Sequence, residues 1–553
     1  MQNDVRRNSN KEYPELELKN PTIVTIPFIH FEQQSIERTI ISRFEEQVLK
    51  FPDKIAICET NSRVNYSELN NFSNGLAVKI LELYEKSDGN IALLLENGTP
   101  AIIGMLGVLK TGNAYIPLDL NYPTERLKYI IKDTNCKLII ASSSSYQLAI
   151  QLKDSIKDGF IISIDQDIIP VTNNVKPMGA PNSIAYILYT SGSTGEPKGV
   201  IQSQRNVLHF IRIYTNNLQI NKNDRISWLS TYSFDSSVMD IYGALLNGAC
   251  LYTYNLMQEG ISLMGDWLNN NQISILHTVP TLYRYIISSL KSEVFKHIRL
   301  VVLGGEAAYK KDFEDFKNHF TKKAIFINGY GPTESTITLQ KFLNYESIVD
   351  KKIIPIGFVV EHTNVYILKE NDQEADLGEI GEIVYKSEYL ALGYWNKQEQ
   401  TEKVFTIDPI TKAGRVYRSG DLGTRLPDGE IEFAGRKDDQ VKIRGQRVEL
   451  SEIEQNIINV PGIDGVAVAI KNVDDQDRIV AYILSKQKIY VSNIREALKQ
   501  SLPSYMLPDF YEFLEKFPLT RTGKINRKAL PDPDIARGAN PDYIAPRTAL
   551  EMS

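Results

Sequence analysis

Residues 189–199, YTSGSTGEPKG, concentrate the groups that hold a phosphate. Gly192, Gly195 and Gly199 let a backbone come close to an anion. Thr190, Ser191, Ser193 and Thr194 offer hydroxyls, and Lys198 supplies a point charge. The preceding residues, IAYIL at 184–188, read as a buried strand, so the loop leaves a strand end. This suits a triphosphate or pyrophosphate clamp better than a Ser/Gly surface loop of similar composition. The GxxxxGK[ST] pattern of ordinary P-loop NTPases is absent. Two carboxylates stand in short glycine-bearing segments further on: Glu334 in NGYGPTE (328–334) and Asp421 in YRSGDL (417–422). Taken alone, each reads as an ordinary loop carboxylate.

These groups need elements to position them. Short apolar runs alternate with amphipathic stretches from the region of Ile36 onward. Ile36, Ile40, Ile41, Phe44, Val48 and Leu49 recur at helical spacing and predict one helix. Strands are predicted at 91–95, 137–141, 160–164, 299–303 and 324–327, with a helix over 100–110. Strands alternating with helices imply parallel sheets covered on both faces. Ligands gather at the carboxyl ends of such strands, where Gly304, Gly305 and Gly329 fall. After about residue 360 the strands become shorter and turn-rich (364–368, 382–385, 430–433), with a turn at PDG 427–429. Residues 1–33 lack periodicity and read as an extension, and 532–546 read as a linker.

Composition narrows the class. A chain of 553 residues with 42% hydrophobic and 24% charged residues has material for several large cores. A net charge of −6 argues against nucleic acid as a partner, since phosphate binding would want a clustered basic face. Cys58, Cys136 and Cys250 are far apart among apolar neighbours, and read as core residues rather than a disulfide or zinc set. The first residues are polar, unlike a secretory signal, and no apolar run reaches the roughly 18 residues of a membrane span. No membrane partner is expected, and the chain reads as cytoplasmic.

Taken in order, the motifs resemble the adenylate-forming enzyme superfamily, whose signature loop has the form TSGSTGxPKG. The resemblance extends over VNYSEL (64–69), LKTGNAYIPLD (109–119), FDSS (234–237), NGYGPTE, YRSGDL, GRKDDQVKIRGQRVELSEIE (435–454), LPSYMLP (502–508) and TGKINR (522–527). It implies an α/β fold: a large N-terminal domain of parallel sheets flanked by helices plus a small β-barrel-like subdomain, then a small mobile α+β C-terminal domain. The implied divisions are 1–33 extension, 34–437 adenylation core, 438–530 mobile unit and 531–553 linker toward a carrier protein.

The resemblance also implies roles. ATP and Mg2+ are the expected cofactors, with Glu334 as the metal ligand and Thr333 donating to the α-phosphate. Thr190, Ser191, Gly192, Ser193, Thr194 and Gly195, with Lys198, would cradle phosphate. Asn328, Gly329, Tyr330 and Gly331 would hold adenine, Tyr330 by stacking. Asp421 would accept from the ribose hydroxyls, supported by Arg436. Lys524 would bridge the substrate carboxylate and phosphate during adenylation. Attack on phosphorus gathers negative charge, which is why such a site needs cations in fixed places. Rotation about a hinge at Asp438 would then bring Lys442, Arg444 and Gly445 to the site for transfer to a phosphopantetheine thiol.

Within that superfamily Asp235 resembles the aspartate of the peptide-synthetase branch that pairs with a substrate α-ammonium. The reading is therefore an adenylation domain of a nonribosomal peptide synthetase. Its pocket is expected from Phe234, Asp235, Ser236, Met239, His277, Val301, Leu303, Gly329, Ile337 and Thr338. That set lacks a second acidic group and any basic side chain except histidine, so a neutral side chain, apolar or hydroxylated, is expected. His277 reads equally as a satisfied wall residue. Gln204 stands where relatives often carry His, and is expected to alter pocket shape or polarity. Expected partners are the amino acid, a downstream peptidyl carrier protein, other synthetase domains in the same polypeptide and a small helper protein. The competing readings are an acyl- or aryl-CoA ligase and a catalytically silent scaffold.

Overall fold

The computed structural model describes residues 27–84, 89–156, 158–176, 178–192, 196–290, 294–438, 440–443, 445–473, 476–487, 489–518 and 525–534. Continuous apolar runs mark strands covered on both faces. Ile275–Thr278, Leu300–Gly304 and Ile325–Tyr330 are such runs and lie in parallel register, with Leu276 beside Val301 beside Phe326. They belong to a nine-stranded sheet that continues through Arg225–Trp228, Cys250–Thr253 and Ile55–Cys58, all parallel. Antiparallel strands close both edges, Leu339–Leu343 and Phe358–Val359 on one side and Arg63–Asn65 on the other.

A second sheet, of seven strands, carries the phosphate loop. Phe160–Ser163, Leu138–Ala141, Asn90–Leu94, Ala114–Pro117 and Ile184–Thr190 run parallel. Lys198–Ser203 then returns antiparallel against Ile184–Thr190, so the loop is the turn of a hairpin. Helices from both sheets meet in one large core containing Leu106, Tyr186, Phe210, Ile226 and Tyr242.

Local chemistry sets the helix ends. The predicted helix at 36–49 is two pieces, a 3-10 turn Gln33–Ile36 and an α-helix Ile40–Lys50. Thr39 divides them because its side chain accepts from Ser42 N and caps the second piece. Asn65 and Glu68 form a reciprocal capping box on Tyr66–Leu83. Of the expected extension, Phe31 is packed: it is buried, its N–H donates to Asn216 Oδ1 at 2.9 Å, and the Arg43 guanidinium lies 3.4 Å above its ring.

Beyond residue 360 a small antiparallel sheet joins Asn364–Leu368, Gly381–Lys386, Arg415–Arg425 and Phe405–Ile407, with Ile431–Arg436 also paired to Arg415–Arg425. The turn at 427–429 lies between these last two strands, as expected. The C-terminal unit opens with the hairpin Gln440–Ile443/Gln446–Glu449 and the helix Leu450–Ile458. A three-stranded sheet and the helix Val491–Lys499 follow, around a separate core of Ile453, Val468, Ile483 and Ile494. The three cysteines are buried and free. No helix among the described residues is long and apolar enough to cross a membrane.

Candidate functional site

The strand end Thr190 places its hydroxyl in the interior without a hydrogen-bond partner, a donor held for an incoming oxygen. At Gly192 a Cβ would sit 2.0 Å from the carbonyl oxygen of Glu196, so the loop closes only on glycine. Ser193, Thr194 and Gly195 lie outside the described residues. Lys198 reaches from the returning strand to Glu334 Oε1 at 3.2 Å and to the Tyr394 hydroxyl at 2.9 Å. Burial and the nearby Arg447 guanidinium bring its ammonium down to about 8.

Glu334 is fully buried at the centre of the site. Its Oε1 accepts from Lys198, from the Tyr394 hydroxyl at 2.6 Å and from Arg447 at 3.0 Å. Its Oε2 accepts from Arg447 at 2.8 Å. Burial alone would raise this carboxyl; the Arg447 and Lys198 cations hold it well below the usual carboxylate range. No group of three metal-type side chains gathers among the described residues. A cation on Glu334 would therefore share its coordination with phosphate oxygens and water, which is magnesium's habit. A buried carboxylate held by Lys198 and Arg447 fits such an ion.

The nucleoside-side groups gather at neighbouring strand ends. Tyr330 closes Ile325–Tyr330 and donates its hydroxyl to Asp421 Oδ2, while Arg436 holds the other carboxylate oxygen from across the ladder. Asn328 commits its amide nitrogen to the Pro355 carbonyl at 3.0 Å, which leaves the amide oxygen as an acceptor. Gly331 is required, because a Cβ there would overlap the Thr336 carbonyl at 1.6 Å. Arg436 also grips Asp438 through Nε and Nη2, at 2.6 and 2.8 Å, so the expected hinge residue is pinned to the Asp421 cluster.

Asp235 opens the helix Asp235–Leu245, where the helix N-terminus favours a carboxylate. Burial pushes its carboxyl pKa up, opposed by a Thr333 hydrogen bond and the Lys442 charge. Asp235 has no ion pair among the described residues. Ser236 bonds Ser230 at 3.1 Å, and Met239 is buried one turn on. His277 points to the same helix, its Nδ1 2.7 Å from Asp240 Oδ1, and the Asp240 carboxylate outweighs burial and raises the imidazole.

Two expected pocket residues are corrected by strand alternation. Val301 and Leu303 face the opposite side of the sheet, in a core with Tyr283, Phe313 and Phe316. Val302, registered with His277, and Gly304, registered with Gly329, face the Asp235 side instead. A Cβ on Gly304 would meet only the Gly329 carbonyl, at 3.3 Å. Ile337 packs near Gly329, and Thr338 lies buried beside the Tyr330 carbonyl. Phe234 is the residue preceding the Asp235 helix, bonded to Thr231. Gln204 does not line the pocket: its Oε1 accepts from Ile40 N at 3.0 Å and fixes another helix.

The hairpin of the C-terminal unit sits over this site. Gly445 N donates to Glu306 Oε1 at 2.7 Å, and Lys442 Nζ lies 5.1 Å from the Tyr330 ring centroid. Ser191 donates to the Arg447 carbonyl at 2.7 Å. Arg126 and Glu452 form a buried ion pair across the same boundary, at 2.7 Å. Arg444 and Lys524 lie outside the described residues. Sequence reasoning missed Arg447, Tyr394, Glu306, Val302 and Gly304. Arg447 stood two residues beyond the loop that was singled out, inside the quoted motif, and Gly304 could have been found from the strand's alternation.

A phosphate loop, a buried carboxylate among cations and a Tyr–Asp–Arg cluster at parallel strand ends define an adenylate-forming enzyme. The chain belongs to the AMP-binding enzyme family: the family's model matches residues 44–395, and that of the AMP-binding enzyme C-terminal domain matches 452–524. It is 34% identical over 519 residues to tyrocidine synthase 1 of Brevibacillus parabrevis, covering 93% of this chain and 47% of that one. Gramicidin S synthase 1 of Brevibacillus brevis is likewise 34% identical, covering 93% and 46%. The chain thus spans about half the length of these curated relatives. Among solved structures, a nonribosomal peptide synthetase protein containing adenylation and PCP domains superposes with a TM-score of 0.78 at 25% identity, covering 90% of this chain and 84% of that one. A four-domain nonribosomal peptide synthetase bound to AMP and glycine gives 0.66 at 29% identity, covering 95% and 38%.

Proposed function

We propose that this chain is the adenylation domain of a nonribosomal peptide synthetase. It joins the carboxylate of an amino acid with a neutral side chain to the α-phosphorus of ATP. The bond to the bridging oxygen breaks and pyrophosphate leaves. The acyl carbon then passes to the phosphopantetheine sulfur of a carrier protein, AMP departs, and the thiol proton is released. Magnesium, when bound, supplies charge neutralisation to the polyphosphate. Glu334 holds it, Thr190 and Ser191 with Lys198 orient the phosphates, and Thr333 donates to the α-phosphate. Tyr330 and Asn328 hold adenine, and Asp421 with Arg436 holds the ribose. Lys524 neutralises charge during adenylation, and a turn about Asp438 exchanges it for the loop at Lys442–Gly445.

The observation that carries the amino-acid reading is Asp235. Its carboxylate stands at a helix start and has no ion-paired cation among the described residues, a place a substrate ammonium would fill. The side-chain end is framed by Met239, Val302 and Ile337, with His277 as the polar member. The 34% identity to peptide synthetases supports the same branch. On this reading the carrier protein and further synthetase domains belong to the same polypeptide, a small helper protein assists folding, and the chain works in the cytoplasm.

The test is magnesium-dependent ATP–pyrophosphate exchange across the standard amino acids and across hydroxy, fatty and aryl acids. Exchange with one or a few neutral amino acids supports the reading. Exchange only with acids lacking an α-amino group replaces it with an acyl- or aryl-CoA ligase. Silence from folded protein across the panel favours a scaffold.

A further inference from the structure

His277, the polar member of the side-chain pocket, is held from behind. Its backbone N–H donates to the Ser227 hydroxyl at 3.2 Å, and its Nδ1 is committed to Asp240 Oδ1 at 2.7 Å. Nε2 is then the nitrogen left for a ligand. Asp240 is buried within the helix Asp235–Leu245, where a carboxylate is costly without a cation. The imidazole is that cation: the Asp240 charge, helped by Asp235, raises it against burial. A ring protonated on both nitrogens makes Nε2 a donor.

Two more donors stand round this ring. Trp228 lies two places beyond Ile226, which registers with Ile275, so it shares a sheet face with His277. Its Nε1 is buried with no hydrogen-bond partner among the described residues. Tyr214, from the helix Gln204–Leu218, brings its ring to 6.3 Å from the imidazole, and its buried hydroxyl is likewise unpartnered among them. Buried donors without partners call for an acceptor.

Charge decides which acceptor. A substrate ammonium on Asp235 and the imidazolium on Asp240 give each carboxylate one cation. A carboxylate side chain would leave three anions to two cations in one buried site, and an ammonium or guanidinium would face a donor. A hydrocarbon would leave the donors unpaired. We propose that the Asp240–His277 pair is a fixed hydrogen-bond donor in the pocket, and that it selects an amino acid whose side chain ends in an uncharged acceptor, an amide or a hydroxyl. The inference rests on the adenylation reading above and narrows its neutral side chain to a polar one. Asp240 acts as a positioning residue: it touches His277 and reaches the substrate only through it.

The test is exchange kinetics on matched pairs: threonine and valine, tyrosine and phenylalanine, asparagine and leucine, glutamine and homoleucine. The better polar acid is joined by its methyl ketone or methyl ether analogue, which accepts but cannot donate. In the wild type the polar acid should exceed its hydrocarbon counterpart by about 10- to 100-fold in kcat/KM, chiefly through KM, and the analogue should keep much of that advantage. The pair that wins separates an amide from a hydroxyl. Asp240→Asn leaves a neutral ring whose Nε2 accepts, so the analogue should fall to the hydrocarbon's level while the amide or hydroxyl, able to donate, keeps part of its advantage. A merely structural loss would weaken both alike. Asp240→Glu, which keeps the charge, should preserve part of the analogue's advantage. His277→Leu should erase the advantage of every acceptor, and it carries the test if Asp240→Asn does not fold. The proposal is overturned if the wild type prefers a hydrocarbon or charged side chain, if the analogue gains nothing over the hydrocarbon, or if the advantage survives in His277→Leu. Exchange only with acids lacking an α-amino group fails the adenylation reading itself; exchange with a hydrocarbon amino acid sinks only this inference.

Discussion

Arg447 Nη1 lies 3.0 and 2.8 Å from the two carboxylate oxygens of Glu334 and joins the C-terminal unit to the buried end of the phosphate loop. Removing the negative charge should hurt both roles of that carboxylate. Glu334→Gln leaves Lys198 and Arg447 without their counterion, which should cost about 3–5 kcal/mol of stability in chemical denaturation. Exchange activity should fall by roughly 10²–10³-fold. Retention of full activity would remove Glu334 from the metal role.

Strand register makes a second prediction. Leu303 is core on the far face of the sheet, so Leu303→Ala should cost about 2–5 kcal/mol and leave the ranking of amino acids unchanged. Gly304 opens toward Asp235 with its Cβ position 3.3 Å from the Gly329 carbonyl, so Gly304→Ala should change that ranking in favour of smaller side chains at a modest cost in stability. The reverse pattern, read by exchange assays beside melting curves, would restore the face on which Leu303 was first expected.

Much of this architecture was legible beforehand, for reasons particular to its residues. The parallel strands announce themselves as apolar runs ending in glycine, and Gly304, Gly305 and Gly329 do fall at the mouth of the site. The phosphate loop was recognisable from the density of hydroxyls around Lys198. What motifs do not convey is direction. A run such as LVVLG has no polar alternation to say which valine faces the helix bearing Asp235, so the pocket was placed one residue off. Nor does spacing show that a residue from one unit reaches another: Arg447 and Glu334 are separated by more than a hundred positions, and only docking of the hairpin joins them. Gln204 reads as a pocket departure until its hydrogen bond to Ile40 shows it holding a helix end.

His209 supplies a pH prediction away from the site. Its ring is buried, stacks on Tyr389 at 3.6 Å and has no hydrogen-bond partner for either nitrogen among the described residues. Burial, with Arg212 nearby, lowers it to about 2 from the ordinary value of 6.5. The folded value lies below the unfolded one, so the unfolded chain binds the extra proton. Stability should therefore be lost as pH falls below about 6.5, by up to about 1.4 kcal/mol per unit from this group. His209→Phe keeps the stacking and should flatten that part of the stability–pH curve. An unchanged slope would show that His209 is protonated in the fold.

The central claim is that Asp235 receives the α-ammonium of an amino acid. The most direct measurement is exchange with the preferred amino acid and with the same acid lacking its amino group, in wild type and Asp235→Ala. The wild type should show a large preference for the amino acid. In the variant that preference should collapse by about 30- to 4,000-fold, the equivalent of 2–5 kcal/mol for truncating one partner of a buried charge pair. Equal use of both acids by the wild type, or an undiminished preference in Asp235→Ala, would contradict it.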